Sequence, residues 1–218
     1  FCSAICPYCD FAVATGSRSA RVRYVDHLVE EIRLYRGYPL AFETIYFGGG
    51  TPTLLGEQHF QRLVECLHDN FSIGEPEFTV EAEPLTVTLK KMESLRKLGV
   101  NRLSIGVQSF CDEIIKQSGR GHDEKKALRA IDIARQGGDW QVNIDLLSGL
   151  AGESPETWAR SVECALATGV ESITVYKMEA YSNTQFYQLG VRENALELPS
   201  DEQELSFMQY AMKQLEIG

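Results

Sequence analysis

The sequence has no apolar run approaching the roughly 18 residues of a membrane-spanning helix, so no segment reads as a span. It also lacks low-complexity stretches and any Pro/Gly/Ser-rich linker, so nothing in its composition divides the chain. Positive charge is scarce: 21 Lys and Arg against 31 Asp and Glu give a net charge of −10. A polynucleotide partner wants a basic face, and an anionic membrane surface does too, so both are excluded as main partners. Cysteine is sparse for 218 residues, six in all, too few for a disulfide scaffold.

What is present is a soluble-globular mix, 44 % apolar and 24 % charged, in a chain long enough for one full core. Short β-rich runs occur at Thr44–Phe47, Glu77–Val80, Arg102–Val107, Val142–Leu147 and Ser172–Tyr176. Between them apolar residues recur at helical spacing, as in Val25, Leu28, Val29 and Ile32, or Leu89, Met92, Leu95 and Leu98. Ser154 and Pro155 mark a further helix start, and Gly37, Gly99, Gly137 and Gly169 lie near helix ends. Repeated strand–helix units of this period require parallel strands with right-handed crossovers. The fold class is therefore α/β. Marked residues gather at strand carboxyl ends, the active face of a parallel barrel. The five visible strands, with one more expected ahead of Phe1, predict an open, TIM-like (β/α)6 partial barrel. After Glu179 a loop is expected, then a terminal helix from Ser200 with Leu205, Met208, Met212 and Leu215 as its apolar stripe. The chain starts on a cysteine cluster and stops after a helical pattern, which reads as a piece of a longer polypeptide.

Cys66, Cys111 and Cys164 stand alone in apolar or helical sequence and read as small buried hydrophobes. Cys2, Cys6 and Cys9 crowd into one loop at spacings of four and three. A structural zinc site would need a fourth ligand, and a disulfide would leave one cysteine over; both stay as alternatives. Thiolates are the usual ligands of iron–sulfur clusters. Three of them leave one iron without a protein partner, and an open position marks a catalytic metal.

Cys-x3-Cys-x2-Cys with Tyr8 before the last cysteine resembles the signature of radical S-adenosylmethionine (SAM) enzymes. Cys6-Pro-Tyr-Cys-Asp-Phe11, Tyr46-Phe-Gly-Gly-Gly-Thr-Pro-Thr53, Asn101-Arg-Leu-Ser-Ile-Gly-Val-Gln-Ser-Phe110 and Asn143-Ile-Asp-Leu-Leu-Ser-Gly-Leu150 resemble one branch of them. That branch holds the oxygen-independent coproporphyrinogen III oxidases and the HemW-type haem chaperones, and Thr157-Trp158 continues the likeness. It runs from residue 1 to about 190, implying a radical SAM core domain over 1–190 and the start of a C-terminal helical extension over 191–218.

The resemblance implies a [4Fe–4S] cluster on Cys2, Cys6 and Cys9, with SAM chelated at the remaining iron and Tyr8 against the cofactor. Reductive cleavage of SAM to a 5′-deoxyadenosyl radical would then be available. Gly49, Gly50 and Thr51 match the segment at the amino group of SAM. Glu81 and Gln108 would lie along SAM, Arg120 at its carboxylate and Asp145 at its ribose. Glu179 would line a second ligand position. The bland alternative for Glu81 and Asp145 is a salt bridge inside the barrel, and Arg120 read without the family would be a solvated surface charge. His122 reads as an exposed residue at a helix mouth, and His59 and His68 as ordinary helix residues.

Asp10-Phe11 follows the third cysteine, where the decarboxylating oxidases carry another cysteine, and this points toward the chaperones. Glu81-Ala-Glu83-Pro84 replaces the usual Glu-x-Asn-Pro, and Tyr176-Lys-Met-Glu179 is not the commonest chaperone wording. The implied function is that of a haem chaperone. A methyltransferase using two SAM molecules, a true coproporphyrinogen III dehydrogenase and a non-radical binding module are the alternatives. Implied partners are haem, a porphyrin or another heterocycle, and an electron donor such as a flavodoxin or ferredoxin. Membrane contact would come only through a haem-accepting partner, and a thiolate-bound cluster suits the cytosol.

Overall fold

A computed structural model describes residues 1–217. Helix α1 (Arg18–Leu34) precedes a strand–helix series: β1 (Ala41–Phe47), α2 (Glu57–Asn70), β2 (Ser72–Ala82), α3 (Leu89–Lys97) and β3 (Arg102–Gln108). Then come α4 (Asp112–Gln117), α5 (Glu124–Gln136), β4 (Gln141–Ser148), α6 (Pro155–Ala167), β5 (Ser172–Lys177) and α7 (Asp201–Ile217). All five strands are parallel and lie in sequence order, β1-β2-β3-β4-β5. Strands in chain order with a helix after each one form a curled half-barrel.

Alternation along the strands separates a dry outer face from a polar lumen. Phe78, Val80 and Ala82 of β2, Leu103, Ile105 and Val107 of β3, and Val142, Ile144 and Leu146 of β4 are buried in the main core. Residues between them are polar: Thr79 and Glu81, Ser104, and Asn143 and Asp145. Buried polar groups must find partners. Asn143 receives hydrogen bonds from Ser172 (2.6 Å) and Thr174 (3.0 Å) on Oδ1, and donates from Nδ2 to Ser104 (2.8 Å) and Asp145 (2.8 Å). One amide thus ties β3, β4 and β5 together inside the barrel.

Local chemistry fixes the helices. Ser154 caps α6 with Pro155 in its first turn, and Ser154 and Thr157 form a reciprocal capping box. Trp158 of α6 is 1 % exposed and donates from Nε1 to the Phe207 carbonyl of α7 at 2.7 Å. Trp158→Phe should cost about 1–3 kcal/mol, the value of an orphaned buried carbonyl, read as a lower denaturation midpoint.

The structure extends or corrects several expectations. β2 begins at Ser72, five residues before the expected start, because Ser72 and Ile73 pair with Ala41 and Phe42 despite Gly74 and Pro76. The stretch after Glu179 is not all loop, since Tyr187–Arg192 forms a π-helical turn. On α7 the buried residues are Glu204, Phe207 and Ala211; Met208 and Leu215 are half-buried, while Leu205 and Met212 face outward. The expected stripe therefore lies half off the packed face, because packing against Trp158 centres that face on Phe207 and Ala211. Cys66 and Cys111 are buried as expected, whereas Cys164 is half-buried.

Candidate functional site

The strand carboxyl ends surround a cavity of about 530 Å3. Its lining includes Cys2, Cys6, Tyr8, Cys9, Gly50, Thr51, Glu81, Gln108, Arg120, Asp145 and Glu179. Residues from seven separate stretches of sequence are thereby brought to one place. Gly49 is not among the lining residues; its N–H donates to Glu81 Oε2 at 2.9 Å.

The cysteine loop is fastened at both ends. Cys2 N–H donates to the Ala14 carbonyl (3.0 Å), Thr51 N–H to the Phe1 carbonyl (2.7 Å), and Phe186 N–H to the Pro7 carbonyl (3.1 Å). The Tyr8 ring meets the edge of Phe186 with centroids 6.0 Å apart. Two glycines permit the close approaches this requires. A Cβ on Gly50 (φ +58°) would lie 2.7 Å from the Phe1 carbonyl oxygen, and one on Gly119 (φ +69°) would lie 2.5 Å from the Pro7 ring.

All three cysteines are free and half-buried, and Thr51 Oγ1 lies 3.6 Å from Cys2 Sγ. Burial pushes the Cys9 thiol upward, with the neighbouring sulfurs adding to the effect. Among the described residues no three His, Cys, Asp or Glu side chains converge on a single ion. A cubane places its irons at separate corners, so its ligand sulfurs need not converge. A soft, three-thiol donor set on one loop facing a cavity fits a [4Fe–4S] cluster with one open iron.

The carboxylates are held without ion pairs. Glu81 accepts from the Tyr46 hydroxyl (2.6 Å) and the Gly49 N–H. Burial raises Asp145 to about 6, although Ser104 and Asn143 donate to it. Neither forms the salt bridge considered from sequence. Tyr46, missed in the sequence, is pushed well above its ordinary value by burial and by Glu81. Glu179 accepts from the Tyr181 hydroxyl at 2.8 Å.

Arg120 is part-buried rather than solvated. Its Nη1 donates to the Tyr8 hydroxyl (3.1 Å), its Nη2 to the Gly106 carbonyl (2.6 Å) and its Nε to His122 Nδ1 (3.5 Å). Burial pushes the Tyr8 phenol up to about 12 despite that arginine. Gln108 has φ +69°, a left-handed conformation uncommon outside glycine, at a register shift between Gly106 and Gln108 in the β3–β4 pairing. The bulge folds the Gln108 side chain back over Gly106, where an added Cβ would meet Gln108 Nε2 at 2.9 Å. His122 is not the exposed residue that the sequence implied. It is 5 % exposed, because the β3 bulge takes it in.

A family model described as the radical SAM superfamily matches residues 1–165. The chain is 34 % identical to the haem chaperone HemW of Bacillus subtilis (strain 168), covering 99 % of this chain and 58 % of that protein. It is 29 % identical to the oxygen-independent coproporphyrinogen III oxidase of Escherichia coli (strain K12), covering 96 % of this chain and 46 % of that one. The solved structure of coproporphyrinogen III oxidase (HemN) from Escherichia coli, a radical SAM enzyme, superposes with a TM-score of 0.85 at 28 % identity. That match covers 99 % of this chain and 50 % of the oxidase. The chain spans about half the length of the curated relatives it matches.

Proposed function

Because this chain belongs to the radical SAM superfamily, whose cofactors are a [4Fe–4S] cluster and SAM, we propose that it is the cofactor-bearing core of a HemW-like haem chaperone. Cys2, Cys6 and Cys9 hold the cluster in this reading, and Tyr8 packs beside it. When bound, the cluster supplies an electron to the sulfonium of SAM. The protein's own part is orientation and the exclusion of water. Gly50 and Thr51 present backbone to the amino group of SAM, and Gly49 contributes indirectly by fixing Glu81. Glu81 and Gln108 flank the ligand, Asp145 accepts from its ribose hydroxyls, and Arg120 takes its carboxylate.

Arg120 supports its role by count. A guanidinium has five N–H donors, and three nitrogens each spend one on the protein. One N–H remains on each terminal nitrogen, the number needed for a two-pronged carboxylate grip.

The observation that carries the reading is the sign of the cavity. Among the described residues Asp10, Glu81, Glu83, Asp145 and Glu179 line it, against Arg120 and Lys177 alone. Lys177 is already paired with Glu204 at 2.9 Å. Such a cavity suits the sulfonium and ammonium of SAM. With Arg120 taken by SAM and Lys177 by Glu204, no cation among the described lining residues is left for a substrate bearing several carboxylates, and this weighs against a porphyrinogen decarboxylase in this cavity. A second reading, methyl transfer with two SAM molecules, is favoured by Glu179 and Asp10, which leave acid for a second cationic ligand.

Residues 1–190 then form the radical SAM core, and 191–218 begin a C-terminal helical extension. A flavodoxin or ferredoxin donates the electron in the cytosol, and haem passes to an accepting protein. Among the described residues no helix is long and apolar enough to cross a membrane.

The test is anaerobic reconstitution followed by haem titration and a search for 5′-deoxyadenosine and methylated product. Stoichiometric haem binding without methylated product is expected. Methylated product with no haem binding would replace the chaperone with the transferase. A second expectation concerns pH. Asp145 is an anion above about pH 6, so SAM affinity should fall as the pH drops through that value. Asp145→Asn should remove the step, and an unchanged profile in equilibrium dialysis would displace Asp145 from the ribose.

A further inference from the structure

His122 lies in the loop between α4 and α5 with its side chain fully enclosed, and no step above uses it. Its surroundings are specific. Nε2 is 3.1 Å from the Val107 carbonyl, the residue at the register shift of β3. A carbonyl only accepts, so Nε2 donates to it, and Nδ1, facing the Arg120 Nε–H donor, accepts through its lone pair. That lone pair faces Arg120 Nε at 3.5 Å. Arg120 in turn holds the Gly106 carbonyl, one residue before Val107. Two consecutive carbonyls of the bulge are therefore held from one loop, and Gln108, next in the chain, is kept in its left-handed conformation. Glu83 Oε1 stands 3.7 Å from Nδ1, beyond hydrogen-bond reach, and its charge also favours the Arg120 cation.

The geometry points to His122 as a positioning residue for the ligand's carboxylate: it orients the Arg120 guanidinium and pins the bulge that aims Gln108 into the cavity. The ring does both at once, because its two nitrogens serve one acceptor and one donor. The assignment rests on the reading that places SAM in this cavity. Glu83, which stands where the resembled branch has asparagine, is the charged neighbour this chain adds to the same brace.

Iron-loaded protein, parent and variants, is compared for SAM affinity by equilibrium dialysis and for the change SAM induces in the electron paramagnetic resonance of the reduced cluster. Iron content and melting temperature are recorded alongside. His122→Leu should weaken SAM roughly tenfold to a hundredfold, the worth of one hydrogen bond to a charged group, and blunt the spectral change with iron intact. His122→Gln, whose amide can both donate to Val107 and accept from Arg120, should recover affinity to within a few-fold of the parent. Equal losses in the two variants would reduce His122 to space filling, and no loss in either would end the proposal. Should His122→Leu fail to fold, His122→Asn replaces it, too short to reach both partners; an affinity equal to that of His122→Gln overturns the inference. A parent protein that binds no SAM removes the functional reading, whereas a parent that binds SAM regardless of residue 122 removes this inference alone.

Discussion

Replacing any one of Cys2, Cys6 or Cys9 by alanine is expected to take the iron from about four atoms per chain to near zero and to bleach the protein. Removing one of three protein ligands exposes a second iron and leaves a two-point attachment on a short loop. No other cysteine can substitute. Cys66 is buried in α2 with its thiol toward the Val29 carbonyl, Cys111 sits in the small core beside Phe186, and Cys164 on α6 contacts Glu124. Cys164→Ala is accordingly the control that keeps its iron. Iron and acid-labile sulfide assays after anaerobic reconstitution decide the matter. Full iron in all three loop variants would refute the cluster assignment and, with it, the proposed function.

Arg120→Ala should abolish detectable SAM binding, a loss of roughly a hundredfold or more, while iron content stays at the parental level. The arginine supplies the only uncommitted positive donors facing the cavity among the described residues, since Lys177 is engaged by Glu204. Arg120→Lys is expected to recover little. A lysine keeps the charge but cannot serve Tyr8, Gly106 and His122 while gripping a carboxylate. Anaerobic calorimetry reads the affinity. An Arg120→Ala protein that binds SAM like the parent would mean the carboxylate is held elsewhere.

The strand–helix order was legible because period-2 and period-3.6 patterns alternate cleanly, and every run read as a strand is one. The cysteine loop and the residues at strand ends were legible through motif spacing. Three features were not. Gly121-His122-Asp123, just before α5, has the local composition of a surface turn, and only the β3 bulge makes it interior. The α7 sequence offers two apolar faces, and the choice of Phe207 and Ala211 is made by Trp158, some fifty residues away. Tyr46 sits in an ordinary strand run, and its importance comes from Glu81 on the neighbouring strand, a long-range pairing that spacing does not encode.

Among the described residues the sheet ends on β1 and β5, which do not pair with each other, so this part of the wall has a lengthwise seam. Tyr46 on β1 and Tyr176 on β5 stand 58 % and 52 % exposed on the two margins of that seam. Each of these two edge strands keeps a row of backbone N–H and C=O groups on its free side. Those groups need water or a further segment of chain as partners, so the strength of the wall rests on β2, β3 and β4, which are paired on both sides.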